Sequence, residues 1–161
     1  MNTVTIYIVL MLESRPEEEK LKILSQCQMV YEVALDRFNI INESDSVNSL
    51  AIDEEKFGML GIRKRQEHIT KINDVTAKIL KLKNECTDSY KATERLINCY
   101  EKTSEVYIKY SVLFTGLTNL IDNIMIMYDM LLKIQARIIF VSQLYSEEMK
   151  ESTINIKEVN K

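Results

Sequence analysis

The chain of 161 residues has 3 Gly, 1 Pro and no Trp, where average usage would supply roughly 11 Gly and 8 Pro. Gly and Pro build tight turns, so their scarcity excludes the many-turned all-β and α/β folds and favours a few long helices. It also weighs against enzyme architectures that collect reacting groups on irregular loops. Three cysteines, Cys27, Cys86 and Cys99, are widely spaced with no Cys-x-x-Cys. That pattern fits neither a disulfide framework nor a zinc site, and it points to a reducing, cytoplasmic setting. A net charge of −3 gives no electrostatic reason to expect nucleic acid or an anionic membrane as partner.

What is present is helical. Residues 1–13 form an apolar start, uncharged through Leu12, too short to span a bilayer and without the basic region of a signal peptide. Ser14-Arg15-Pro16-Glu17 predicts a helix start, with Ser14 and Glu17 as a capping box and Glu17, Glu18 and Glu19 at the positive end of the dipole. Leu24, Cys27, Tyr31, Ala34, Phe38 and Ile41 then follow at three-four spacing, one stripe on a helix of about 15–41. The polar stretch 42–52 reads as the only real loop. Asp53 caps the next helix, with Glu54 and Glu55 in its first turn.

From about 53 to 150 there is neither proline nor a turn cluster. One very long helix is expected, with a restart capped by Thr103 or Ser104 as the alternative. The stripe Ile69, Ile72, Thr76, Ile79, Lys83, Cys86, Tyr90, Thr93, Ile97 and Tyr100 is mixed, and 19 of the 49 residues in 54–102 are charged, so the other faces there meet water. A second series is far stronger: Val106, Tyr110, Leu113, Leu117, Leu120, Ile124, Met127, Leu131, Ile134, Ile138, Val141 and Tyr145. Twelve apolar positions in unbroken three-four order meet the criterion for a coiled coil. Another apolar series, Tyr107, Phe114, Ile121, Met125, Tyr128, Leu132 and Ile139, occupies a different face, and only six charges fall in 104–146. A helix apolar on two faces needs cover on two faces. One short helix cannot provide it, so the twelve-residue series is the expected interaction face for a second copy or a larger helical assembly.

No catalytic constellation emerges. His68 is the only histidine, the residue three before it is Arg65, and no Cys or second His lies at ligand spacing, so neither a metal nor another cofactor is expected. Glycine-rich phosphate loops and the Asp-Phe-Gly of protein kinases are absent. Arg63, Lys64, Arg65, Lys71, Lys78, Lys81 and Lys83 suggest a basic face, but Glu67, Asp74, Glu85 and Asp88 interleave with them. Such mixtures read as i,i+4 ion pairs on a solvated helix.

The blocks Glu18-Glu19-Lys20-Leu21-Lys22-Ile23-Leu24-Ser25-Gln26-Cys27-Gln28-Met29-Val30-Tyr31, then Asp53-Glu54-Glu55-Lys56-Phe57, then Asn84-Glu85-Cys86-Thr87-Asp88-Ser89-Tyr90 resemble the coiled-coil scaffold and dimerisation region of TANK-binding kinase and IKK-epsilon. The likeness spans roughly 17–100; the Trp that this family carries after the last block is missing, with Tyr100 or Tyr107 nearby. The resemblance implies a scaffold that dimerises a serine/threonine kinase of innate-immune signalling and autophagy, with the kinase domain elsewhere. Separately, Tyr128–Arg137 is similar to the end of an autophagy scaffold family. The expectation is therefore an elongated all-α hairpin, its helical domain spanning 14–150 and a polar tail 151–161 following. Its expected role is a non-catalytic, cytoplasmic dimerisation module, with an unrelated assembly scaffold or a lipid-binding helical arc as alternatives.

Overall fold

The computed structural model describes the backbone of residues 12–43, 47 and 50–159, and their side chains except at 54 and 145–159. The described residues are all-α, with no strand among them. A 3-10 turn, Leu12–Ser14, precedes α1 (Glu17–Glu43), α2 (Glu54–Met59), α3 (Ile62–Ile97) and α4 (Glu105–Val159). The apolar start, 1–11, lies outside the described residues, while Leu12 is buried. The tail expected to be merely polar continues the α4 backbone as far as Val159.

Two expectations are corrected. The stretch 53–150 is three helices rather than one, and 42–52 is not the only connection. At Leu60 the backbone turns extended, and its N–H still bonds the Phe57 carbonyl. The Leu60 carbonyl accepts from Arg65 Nε at 3.0 Å, so the chain passes from α2 to α3 with its polar groups satisfied. The larger break, 98–104, carries neither Gly nor Pro. Ser104 makes it possible: its hydroxyl donates to the Glu101 carbonyl at 2.7 Å and accepts from Tyr107 N–H at 3.2 Å, capping α4. Asp53 caps α2 as expected, accepting from Lys56 N–H at 2.7 Å. The Ser14 capping box does not form. Ser14 belongs to the 3-10 turn, Pro16 supplies the first helical carbonyl to Lys20, and the Glu17 carboxylate accepts instead from Tyr100 Oη at 2.8 Å.

By contacts the chain divides into two units, one drawn from Met1–Ser44 with Lys78–Tyr128, the other from Asp45–Ala77 with Asp129–Lys161. The first is a three-helix bundle in which α3 packs on both α1 and α4, and α1 meets α4 at Tyr31 and Gly116. Arg95 donates to both Glu13 oxygens at 2.7 and 2.9 Å, which puts the start of the α1 segment at the end of α3, antiparallel to it. Against α4, Tyr90 stacks on Phe114 with centroids 4.9 Å apart, and Lys83 Nζ lies 5.3 Å from the Tyr128 ring centre, so α4 too runs antiparallel to α3. Between two neighbours α3 is buried on two sides: Ile79, Cys86 and Ile97, but also Leu82, Ser89, Ala92, Thr93 and Leu96. Small residues along that contact let the helix axes approach closely. Gly116 serves the same end on α4, since a Cβ there would lie 2.7 Å from Tyr31 Oη and 2.8 Å from Cζ.

In the second unit Asn73 of α3 accepts from Gln135 of α4 at 2.7 Å. Val47, Leu50 and Phe57 are buried, as are Ile72, Leu131, Ile138 and Val141. Thr76 satisfies its buried hydroxyl on the Ile72 carbonyl at 2.7 Å. Thr93 and Ser89, fully buried in the first unit, find no hydrogen-bond partner at ordinary distance; the Cys27 thiol is the polar group they face.

A buried hydroxyl without a full partner costs about 1–3 kcal/mol. Thr93→Val and Ser89→Ala are therefore expected to raise stability by about 1 kcal/mol each, read as a higher urea midpoint at unchanged slope; a fall in the midpoint would contradict the assignment. Gly116→Ala is expected to destabilise the wild-type chain but to stabilise a Tyr31→Ala background by up to about 1 kcal/mol, the helix propensity gain. Equal effects in both backgrounds would show that the ring does not depend on the missing Cβ.

Candidate interaction surface

Of the groups able to do chemistry, Cys27 and Cys86 are buried and His68 is engaged by a backbone carbonyl. Among the described residues no cluster of three or more His, Cys, Asp or Glu is placed to bind a metal. His68 is half-buried and joins two elements of its unit. Its Nε2 lies 3.0 Å from the Leu50 carbonyl, and its ring centre lies 6.0 Å from that of Phe57. A carbonyl only accepts, so Nε2 carries the hydrogen. The ring anchors the segment leading into α2 onto α3.

Cys27 and Cys86 are buried and free, and Cys99 is free and exposed. Burial pushes the Cys27 thiol from its ordinary 9.0 up to about 11 and the Cys86 thiol up to about 12, because a thiolate loses its hydration there. Neither is a nucleophile near neutral pH. Burial, and then the Glu17 carboxylate it bonds, also raise the Tyr100 phenol well above its usual range. The Arg95 hydrogen bonds hold the Glu13 carboxyl below its ordinary value, as an ion pair does.

The twelve-residue series expected to meet a partner is covered by this chain's own helices. Tyr110, Leu113, Leu117, Leu120, Ile124, Met127, Leu131, Ile138 and Val141 are buried, Val106 and Ile134 are half-buried, and Tyr145 lies outside the described side chains. The turn at 98–104 is the reason, since α3 doubles back to supply the cover a single unbroken helix would have lacked. The second series is mostly half-buried too, with Phe114 and Tyr128 used against α3.

A third face of α4 is the one left open. In the first unit Ile108, Val112 and Ile126 are 57%, 71% and 70% exposed. Their spacings of 4 and 14 are close to whole turns of a 3.6-residue helix, so they share one side. Polar Thr115 and Asn119 sit between them, exposed as well. In the second unit Met130, Phe140 and Leu144 of α4 are exposed. Reading the sequence for its two strongest series passed over these residues. The signal that finds them is the apolar remainder after both series are removed, in a region with too few charges to make a solvated face.

The basic residues on α3 do not behave as one patch. Arg63 pairs with Glu67 at 3.4 Å, the i,i+4 arrangement expected, and Arg65 is engaged by the Leu60 carbonyl. No described helix is long and apolar enough to cross a membrane. No protein-family model matches the chain, and no curated protein or solved structure matches it either.

In the native protein a thiol reagent at neutral pH is expected to label Cys99 alone, with Cys27 and Cys86 reacting only after denaturation; native labelling of all three would show that the bundle opens readily. The two raised thiols also set an alkaline limit. Above pH 9.0 the unfolded chain releases thiol protons that the folded chain keeps, so stability falls as pH rises from there towards the folded values. Denaturant midpoints between pH 8 and 10.5, roughly one unit below to one and a half above the ordinary thiol value, are expected to decline more steeply in wild type than in a Cys27→Ala, Cys86→Ala variant.

Proposed function

We propose that this chain is a non-catalytic helical assembly module that pairs with a second copy of itself in the cytoplasm. The observation carrying the reading is the row Ile108, Val112 and Ile126 on one side of α4, each more than half exposed. Exposed apolar residues aligned on one face, in a helix with only six charges across 104–146, mark a protein contact rather than a solvated or nucleic-acid-binding face. Asp122 is the one charged residue between Thr115 and Ile126 on that side, too little charge to hold two copies apart at physiological salt. Three unpaired cysteines suit a reducing compartment.

The resemblance of Glu18–Tyr31, Asp53–Phe57 and Asn84–Tyr90 to the scaffold of TANK-binding kinase and IKK-epsilon supports a narrower form of this reading. In that form the module dimerises, or associates with, a serine/threonine kinase of innate-immune signalling.

Full burial of each side chain contributes about 1.5–3 kcal/mol, against an association cost of about 4 kcal/mol or more. Pairing through this row is therefore weak, and concentration decides it. Sedimentation equilibrium at up to roughly 100 µM is expected to show self-association. Val112→Asp with Ile126→Asp is expected to leave a monomer with unchanged helicity, because both side chains point to solvent. Leu120→Asp, at a buried position, is expected to unfold the bundle instead. A wild-type chain that stays monomeric over the whole range contradicts the proposal.

A further inference from the structure

Between α1 and α3 of the first unit lies a half-open cavity of about 320 Å³, lined by Arg37, Ile40 and Ile41 from one helix and Lys78, Lys81 and Leu82 from the other. Its composition is divided. Leu82 is buried, Ile41 is half-buried, and Ile40 is 61% exposed at the mouth, so the hollow has an apolar lining that water wets. Around it stand three cations and no carboxylate. The i,i+4 pairing expected along α3 does not reach them: Asp74 and Glu85 are four residues from Lys78 and Lys81, yet neither lysine has an ion pair, nor does Arg37. In a chain whose acids outnumber its bases 24 to 21, this is a local reversal of charge. Three like charges around one apolar hollow repel one another, and an anion seated among them removes that repulsion.

We propose that this cavity binds a free single-chain anionic amphiphile, a carboxylate or phosphate monoester bearing a short aliphatic tail. Arg37, Lys78 and Lys81 hold the headgroup, and the tail lies on Ile40, Ile41 and Leu82. The cavity is at the lower end of the few hundred Å³ typical of small-ligand sites, which suits one chain and excludes a packed helix or a nucleic acid. It is concave and walled from two helices, whereas a bilayer is met by a convex amphipathic face. A neutral apolar ligand would desolvate the cations with nothing in return. The site lies apart from the outer face of α4, so the proposal stands or falls separately from self-association.

The test is calorimetric titration of the full chain with decyl phosphate and with decanoate, both below their micellar concentrations. Decanol serves as tail without charge, and inorganic phosphate as charge without tail. Both amphiphiles are expected to bind, and the two controls at least about tenfold more weakly, a difference near 1.4 kcal/mol. Arg37→Gln, Lys78→Gln and Lys81→Gln together are expected to weaken amphiphile binding by at least about tenfold, and Ile40→Asp to weaken it for the tail. These four side chains are exposed, so circular dichroism is expected to stay that of wild type. The proposal is overturned if neither amphiphile binds in the millimolar range, or if the triple variant binds as tightly as wild type. Decanol equal to decyl phosphate would leave a nonspecific apolar hollow, and phosphate equal to it an adventitious anion site. Capture by anionic vesicles without binding of the monomeric probes would make this a membrane surface instead.

Discussion

Cover for α4 is the requirement on which the rest of the structure depends. Its apolar residues outnumber anything a short α1 can bury, and burial of each large side chain contributes about 1.5–3 kcal/mol. The chain meets the requirement by reversing at 98–104, which brings α3 alongside α4. That reversal is made without Gly or Pro, so its backbone has to be held by specific bonds. Ser104 caps the restarting helix, and the turn is tied to the start of the α1 segment by Tyr100 to Glu17 and, one turn earlier, Arg95 to Glu13. Once α3 lies between two helices, its own composition follows. Two sides must be dry, and Ser89, Ala92 and Thr93 are small enough to let both neighbours in.

Much of the architecture was legible because it rests on periodicity. Of the stripe Leu24, Cys27, Tyr31, Ala34, Phe38 and Ile41, Tyr31 and Ile41 are half-buried and the other four buried, α1 ends within two residues of the expected boundary, and Asp53 caps where a capping residue should. The twelve-position series on α4 is the core seam wherever its side chains are described, apart from half-buried Val106 and Ile134. What periodicity does not carry is the direction from which cover arrives. A seam facing the chain's own hairpin and a seam facing another molecule have the same spacing, and only the turn at Ser104 separates them. That turn consists of Asn, Cys, Tyr, Glu, Lys, Thr and Ser; Thr103 and Ser104 offer a cap, but nothing in it forbids a helix as Pro would, and its stabilising partners are more than 80 positions away. The small-residue side of α3 was hidden for a related reason. Ser89 and Thr93 count as polar in any hydropathy pattern, although their value here is volume.

The open face of α4 and the cationic hollow were both obscured by stronger patterns. Ile108, Val112 and Ile126 are scattered among residues of the two apolar series, and become a face only when those are seen to be used elsewhere. Lys78 and Lys81 have carboxylates at the right spacing for ion pairs, and the structure leaves those pairs unmade. In both places the informative feature is a group without the partner that its sequence neighbourhood would supply.

The ties from Glu13 to Arg95 and from Glu17 to Tyr100 span 82 and 83 residues, whereas the α3–α4 reversal closes across seven, 98–104. Bringing together ends separated by roughly eighty residues rather than seven costs about 2 kcal/mol more in loop entropy, and local contacts form faster than distant ones. Loop entropy therefore favours closing the α3–α4 hairpin over closing the contacts between the start of α1 and the end of α3. While α1 is undocked, the flank of α3 carrying Cys86, Ser89 and Thr93 is wet, and its two uncompensated hydroxyls are at ease there. Their burial opposes that docking, so they weaken the seating of α1 on the hairpin.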